Sequence, residues 1–165
     1  MAIAGKNTTT LPGASALFPL CELRTASLYD GQEEDNLSRR LDNLQIVVVD
    51  DHKQVRSAMA GFLSGLGAIV HECSNADDAL EVVVRLQPAL VVSDIAMPGK
   101  DGFELLQEIR SLSLPGAGEV PVIAITGLSR PLDQMRVPAA GFNALLLKPF
   151  TPDALLRVIS ELLEV

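Results

Sequence analysis

From about residue 44 to the end of the chain, short apolar runs alternate with amphipathic stretches. Ile46-Val-Val-Val49, Ala89-Leu-Val-Val92 and the stretch Val120 to Ile125 are apolar at consecutive positions rather than alternate ones, as parallel strands buried on both faces require. Ala68-Ile-Val70 and Ala144-Leu-Leu-Leu147 supply two further strands. Between the first two strands, Val55, Met59, Phe62, Leu63 and Leu66 recur at helical spacing, closed by Gly65 and Gly67. A second helix, capped by Ser74 or Asn75, turns Ala79, Leu80 and Val83 inward and stops at Leu86, ahead of Pro88. A third runs from about Gly102 to Leu112 after a Pro98-Gly99 turn, and a weakly patterned fourth lies between Pro131 and Ala140. The last has Thr151 as N-cap, Pro152 at its first position and a buried stripe of Leu155, Ile159 and Leu162.

Five strands alternating with five helices predict an α/β fold: a parallel sheet with right-handed crossovers and helices on both faces. For such a unit the flavodoxin-like strand order 2-1-3-4-5 is expected. Residues 1–43 lack a sustained period and include the mixed-charge stretch from Asp30 to Asp35. They read as a tail or linker with room for a short helix around Leu37 to Leu44, leaving 44–165 as the folded domain.

Composition narrows the function classes. A net charge of −8 argues against a surface that tracks nucleic-acid phosphates. Cys21 and Cys73 lie far apart and make neither a metal-ligand pair nor a disulfide framework, which fits a reducing, cytoplasmic setting. The apolar stretch between Lys6 and Cys21 is interrupted by Pro12 and Pro19, and bulky Leu20 stands where a cleavage site needs a small residue. No apolar run approaches the ~20 residues of a membrane span.

The chemistry is carried by the polar residues at the strand ends. Asp50 and Asp51 come after the first strand, Asp94 closes the third, Thr126 the fourth, and Lys148 comes after the fifth. All five therefore belong to the carboxyl edge of the sheet, where open α/β folds place ligands, and in this strand order the three acids converge at the switch point. Two carboxylates ~4 Å apart repel by roughly 4 kcal/mol at an effective dielectric of ~20, so three need compensation. A hard dication with oxygen ligands, Mg²⁺ for example, supplies it. Lys148 adds positive charge and Thr126 a hydroxyl donor, completing a site for a phosphoryl group attacked in line by a carboxylate.

With those residues in view, the chain resembles the receiver domain of two-component response regulators over about residues 44–165. The segments that match are Ile46-Val-Val-Val-Asp-Asp51, Val91-Val-Ser-Asp94-Ile-Ala-Met-Pro98 with Asp101-Gly102, Ile125-Thr126 and Lys148-Pro149-Phe150. The wording from Ser93 to Gly102 is similar to receivers at the C-terminus of hybrid histidine kinases. The resemblance implies that Asp94 is the phosphoacceptor, taking its phosphoryl group from a phosphohistidine. It implies that Asp50, Asp51, Asp94 and the backbone carbonyl of Ala96 hold Mg²⁺, and that Thr126 and Lys148 contact the phosphoryl group. It also implies a cis bond at Lys148-Pro149. A histidine kinase or histidine phosphotransfer protein, and a downstream protein target, are the partners implied; membrane insertion and direct nucleic-acid binding are not.

Some positions depart from the family pattern. Leu145 stands where an aromatic switch residue is usual. Ala96 and Leu128 occupy two positions that influence the phosphoryl lifetime, and Pro138 falls where the fourth helix normally continues. One alternative is a degenerate receiver that binds partners independently of phosphorylation. A haloacid-dehalogenase-type phosphatase is another, but it calls for Asp-x-Asp where this chain has Asp50-Asp51-His52. The module is therefore expected to assist only its own phosphorylation and dephosphorylation, not to act as an enzyme on other molecules. With no output domain after the fifth helix, signalling is expected to pass by protein contact. His52, beside the acid pair, has a ligand or phosphohistidine as its alternative reading but is expected as a surface residue of the first helical turn, and His71 is expected as a structural one.

Overall fold

A computed structural model describes residues 41–127 and 131–165, the side chains of residues 131–135 excepted. Its elements run in the order β1 (Gln45–Val49), α1 (Lys53–Gly65), β2 (Ile69–Cys73), α2 (Ala76–Leu86), β3 (Leu90–Asp94), α3 (Gly102–Arg110), a 3-10 turn (Ala117–Glu119), β4 (Val122–Thr126), α4 (Pro131–Ala140), β5 (Ala144–Leu147) and α5 (Pro152–Leu163). The sheet is parallel with order β2-β1-β3-β4-β5, the expected topology.

Side-chain alternation along the central strands divides the core in two. Ile46, Val48, Leu90, Val92, Ile123 and Ile125 face one way, against α1 and α5. Val47, Val49, Val91, Val122 and Ala124 face the other, toward α2, α3 and α4. All of these strand residues are buried, each Val, Ile or Leu side chain worth roughly 1.5–3 kcal/mol against exposure. This double burial is why the three central strands read as unbroken apolar runs.

At the edges the pattern is less informative. The second strand, expected to open at Ala68-Ile-Val70, runs from Ile69 to Cys73 and pairs with β1 throughout. An edge strand needs only one packed face, so polar His71 and Glu72 do not end it. At β4, pairing starts at Val122 rather than Val120; Pro121 has no N–H to give and contributes its carbonyl to Val91 N–H instead. Helix α3 closes at Arg110, two residues early. Pro138 lies inside α4, which still reaches Ala140 before Gly141, at positive φ, turns the chain. A proline three residues from a helix end removes a single backbone bond.

The domain begins earlier than the periodicity implies. Leu41 is fully buried among α1 and α5 residues. Its N–H bonds to the Leu66 carbonyl, and that of Asn43 to Gly67. Residues 41–43 form a turn; the remainder of the segment considered for a short helix, with Cys21, lies outside the described residues, as does Leu128.

Two local devices set the carboxyl edge. Asp101 and Glu104 form a reciprocal capping box, each carboxylate accepting from the other's backbone N–H at 2.9 Å, which fixes the start of α3. Gly102 then seats that helix on the end of β3: a Cβ there would lie 2.6 Å from the Asp94 carbonyl oxygen and 2.8 Å from Ile95 Cα. Only glycine allows that approach.

Candidate functional site

Asp50, Asp51 and Asp94 meet at the carboxyl edge as the strand order requires. Among the described residues these three and His52 each offer one ligating atom, all within 4.8 Å of one another. The two members of the acid pair are held very differently. Asp50 is completely buried, and both of its carboxylate oxygens are engaged. Oδ1 accepts from His52 N–H at 2.8 Å and Oδ2 from Lys148 Nζ at 2.9 Å. Its backbone is pinned as well, with N–H to the Cys73 carbonyl and its own carbonyl to Arg56 Nη1 at 2.6 Å. Asp51 Oδ1, by contrast, is buried and accepts no hydrogen bond. An ionised oxygen in that condition is costly unless a cation meets it.

Lys148 is the positive centre. Besides Asp50 it lies 3.3 Å from Asp94 Oδ1, so one ammonium bridges the first and third strands. The Lys148-Pro149 bond is cis, as expected. Burial alone would lower the Lys148 pKa; hydrogen bonds and charges from Asp50 and Asp94 outweigh it and raise the pKa overall. Burial, followed by the charge of Asp50, pushes the Asp94 carboxyl above its ordinary 3.8, while Lys148 and the Ala96 N–H pull the other way. The Asp94 carboxylate is thus left short of full charge stabilisation, which a bound dication would supply.

Thr126 is buried at the end of β4; its carbonyl accepts from Lys148 N–H at 2.8 Å, and Asp94 is in register with its neighbour Ile125. Exposed Ala96 stands two residues after Asp94, with its N–H on the Asp94 carboxyl. Asp50, Asp51, Asp94, Ala96, Thr126 and Lys148 therefore all lie at the carboxyl edge. Leu145 is half-buried on the opposite side of β5 from α5, packed into the layer that holds Phe142 and Val137.

One neighbour of the site escapes sequence reasoning. Arg56, one turn into α1, clamps the Asp50 carbonyl and is itself faced by Glu72, 3.4 Å away on the edge strand; Ser57 also donates to Glu72. An arginine on a helix surface gives no sequence signal of reaching back to a strand end. His52 is the N-cap of α1 rather than a first-turn residue. It is largely exposed, yet its Nδ1 stands 2.9 Å from Asp51 Oδ1 and 3.4 Å from Asp50 Oδ1. Cys73 takes no part: burial, then Asp78, lifts its thiol to about 11.

The donor set fits a dication on these contacts. Three hard carboxylates, one with a buried acceptor lacking any donor, suit an oxygen-seeking dication. Asp51 and Asp94 are the acids with oxygens still free to ligate, and Asp50 stands behind them. Beside the site, Val55, Ala58, Met59 and Phe62 of α1 and Pro149 and Phe150 line an apolar groove of about 490 Å³ that runs up to Lys148.

This site on this fold is that of a phosphate-handling switch module, and comparison with known proteins gives the class. The response regulator receiver domain matches residues 46–160, and the chain belongs to that family. It is a module of two-component signal transduction, regulatory rather than enzymatic, and the family implies a histidine kinase as partner. Among similar sequences, an uncharacterized 14.6 kDa protein from Leptolyngbya boryana is 40% identical over 121 residues, 73% of this chain and 91% of the relative. The sensor histidine kinase RcsC of Salmonella typhi is 34% identical over 151 residues, but the chain spans just 16% of its length. Among solved structures, the chemotaxis response regulator CheY4 of Vibrio cholerae superposes with a TM-score of 0.67 at 25% identity, covering 73% of this chain and 98% of that one. The BeF3-activated receiver domain of Klebsiella pneumoniae RstA gives 0.65 at 29% identity, covering 73% and 99%. No helix among the described residues is long and apolar enough to cross a membrane.

Proposed function

We propose that Asp94 accepts a phosphoryl group from a phosphohistidine, held by a kinase or a phosphotransfer protein, and passes the signal on by protein contact. The observation that carries this is the single ammonium of Lys148 between Asp50 and Asp94 at the switch point. An Asp94 oxygen forms the bond to phosphorus as the donor's P–N bond breaks, its electron pair returning to the imidazole ring. Lys148 then turns toward a phosphoryl oxygen, and the Thr126 hydroxyl donates to another. Asp51, Asp94 and the Ala96 carbonyl, with Asp50 behind them, would hold Mg²⁺, which would supply charge neutralisation of the phosphoryl oxygens.

A phosphohistidine cannot reach Asp94 unless its protein covers the site's rim. The apolar groove beside Lys148 is the adjoining surface that rewards such contact, and a kinase that draws on ATP places the exchange in the cytoplasm. The RstA receiver supports the same reading, since that relative is BeF3-activated and BeF3 resembles a phosphoryl group in shape and charge. The test is incubation with acetyl phosphate and Mg²⁺ followed by intact-mass measurement. One phosphoryl group should be gained by the wild type and none by Asp94→Asn; equal modification of both would overturn the assignment.

A further inference from the structure

His52 stands against the acid cluster in a manner that its surface position does not require. Its side chain makes no capping bond to α1, so helix initiation does not explain where the ring lies. Nδ1 is 2.9 Å from Asp51 Oδ1, yet that buried oxygen accepts no hydrogen bond from it or from any other described group. With the ring protonated the two atoms make an ion pair; with the ring neutral and its proton on Nε2, two electron-rich atoms face each other at this separation and need a cation between them.

A shared cation provides one. Neighbouring ligands around an octahedral dication at 2.0–2.1 Å are separated by about 3.0 Å. The 2.9 Å between Nδ1 and Asp51 Oδ1 matches such an edge. The ligating atoms of His52 and all three acids fall within one 4.8 Å cluster.

We infer that His52 is a ligand, through Nδ1, of the dication held by Asp51 and Asp94, and that it biases this site from Mg²⁺ toward a first-row transition metal such as Mn²⁺. The inference rests on the dication site proposed above and adds its selectivity. Mg²⁺ takes oxygen ligands and keeps its waters, so an imidazole offers it little. Mn²⁺ and the metals after it accept nitrogen readily, with affinity rising along the series. Ligation through Nδ1 leaves the ring's remaining proton on Nε2, on a side chain that is 68% exposed.

The test is Mn²⁺ titration of the full chain at about pH 8, where histidine is neutral, with free Mn²⁺ read by electron paramagnetic resonance and Mg²⁺ affinity read by competition. Wild type should bind Mn²⁺ well over tenfold more tightly than Mg²⁺. His52→Ala should lose about tenfold in Mn²⁺ affinity, the low end of losses seen when metal-site residues are altered, with Mg²⁺ affinity changed less than twofold. Bound Mn²⁺ should also show nitrogen hyperfine coupling that vanishes in His52→Ala. If both cations bind wild type and His52→Ala equally well, or nitrogen coupling is absent, the histidine is no ligand although the site stands. If neither cation binds and Asp51→Asn changes nothing, the dication site fails, and this inference with it.

Discussion

Replacing Lys148 by methionine keeps the side chain's length and removes its charge, so it isolates what the ammonium does. In the wild type it lies 2.9 Å from Asp50 and 3.3 Å from Asp94. Without it, two carboxylates within 4.8 Å of each other repel by roughly 3.5 kcal/mol at an effective dielectric of ~20. Breaking a buried pair from one side costs about 3–5 kcal/mol. Because the lysine side chain is 26% exposed, solvent recovers part of that, and we expect a net loss of about 2–3 kcal/mol in metal-free buffer. For a domain of this size that is roughly 8–12 °C in melting temperature. Mg²⁺ should restore much of it, since a dication replaces the missing charge. The pH dependence has a fixed sign. Asp94's folded pKa is raised, so ionising it costs stability, and the defect should shrink as pH falls through that raised value. Lys148's own pKa is raised too, so its contribution is complete below 10.5 and is lost as pH climbs through the folded value. Thermal and urea unfolding with EDTA, then with Mg²⁺, measure all three effects. A variant as stable as wild type in EDTA would refute the bridging role.

Gly102→Ala should destabilise by about 1–2 kcal/mol, because overpacking against backbone at 2.6 and 2.8 Å exceeds the gain in helix propensity; it should also slow phosphorylation by acetyl phosphate, and an unchanged melting temperature would contradict the close approach. Ala58→Glu, at an exposed position on the groove, should cut transfer from a phosphohistidine protein about tenfold or more, as loss of an interface contact does. Its rate with acetyl phosphate should stay that of wild type, and equal slowing with both donors would remove the groove from docking. Leu41→Ala should cost about 2–4 kcal/mol by unfolding, whereas deleting residues 1–38 should leave the melting transition in place; loss of folding on that deletion would show the segment to be part of the domain.

The central strands were legible because burial on both faces leaves Ile46 to Val49 and Leu90 to Val92 no polar option. The site was legible for a related reason: Asp50, Asp94 and Thr126 are polar residues at the ends of such runs, and strand order alone brings them together. Edge features were not, since β2 carries His71 and Glu72 in a ladder that tolerates them. Leu41 gave no signal because one buried residue makes no period. Nor does sequence tell Asp50 from Asp51; that difference lies in which oxygens Lys148, His52 and Arg56 reach, a matter of side-chain geometry across three elements. The weakly patterned fourth helix spans the expected Pro131 to Ala140 with Pro138 inside it.

The most direct test is to locate the phosphoryl group itself. After phosphorylation with Mg²⁺ from a phosphohistidine donor, borohydride reduction converts the acyl phosphate to homoserine, and peptide sequencing finds the residue changed. Homoserine at position 94 alone, absent when the donor is omitted, is the expected result. Homoserine at position 50 or 51, or at none while the donor loses its phosphoryl group, would contradict the account.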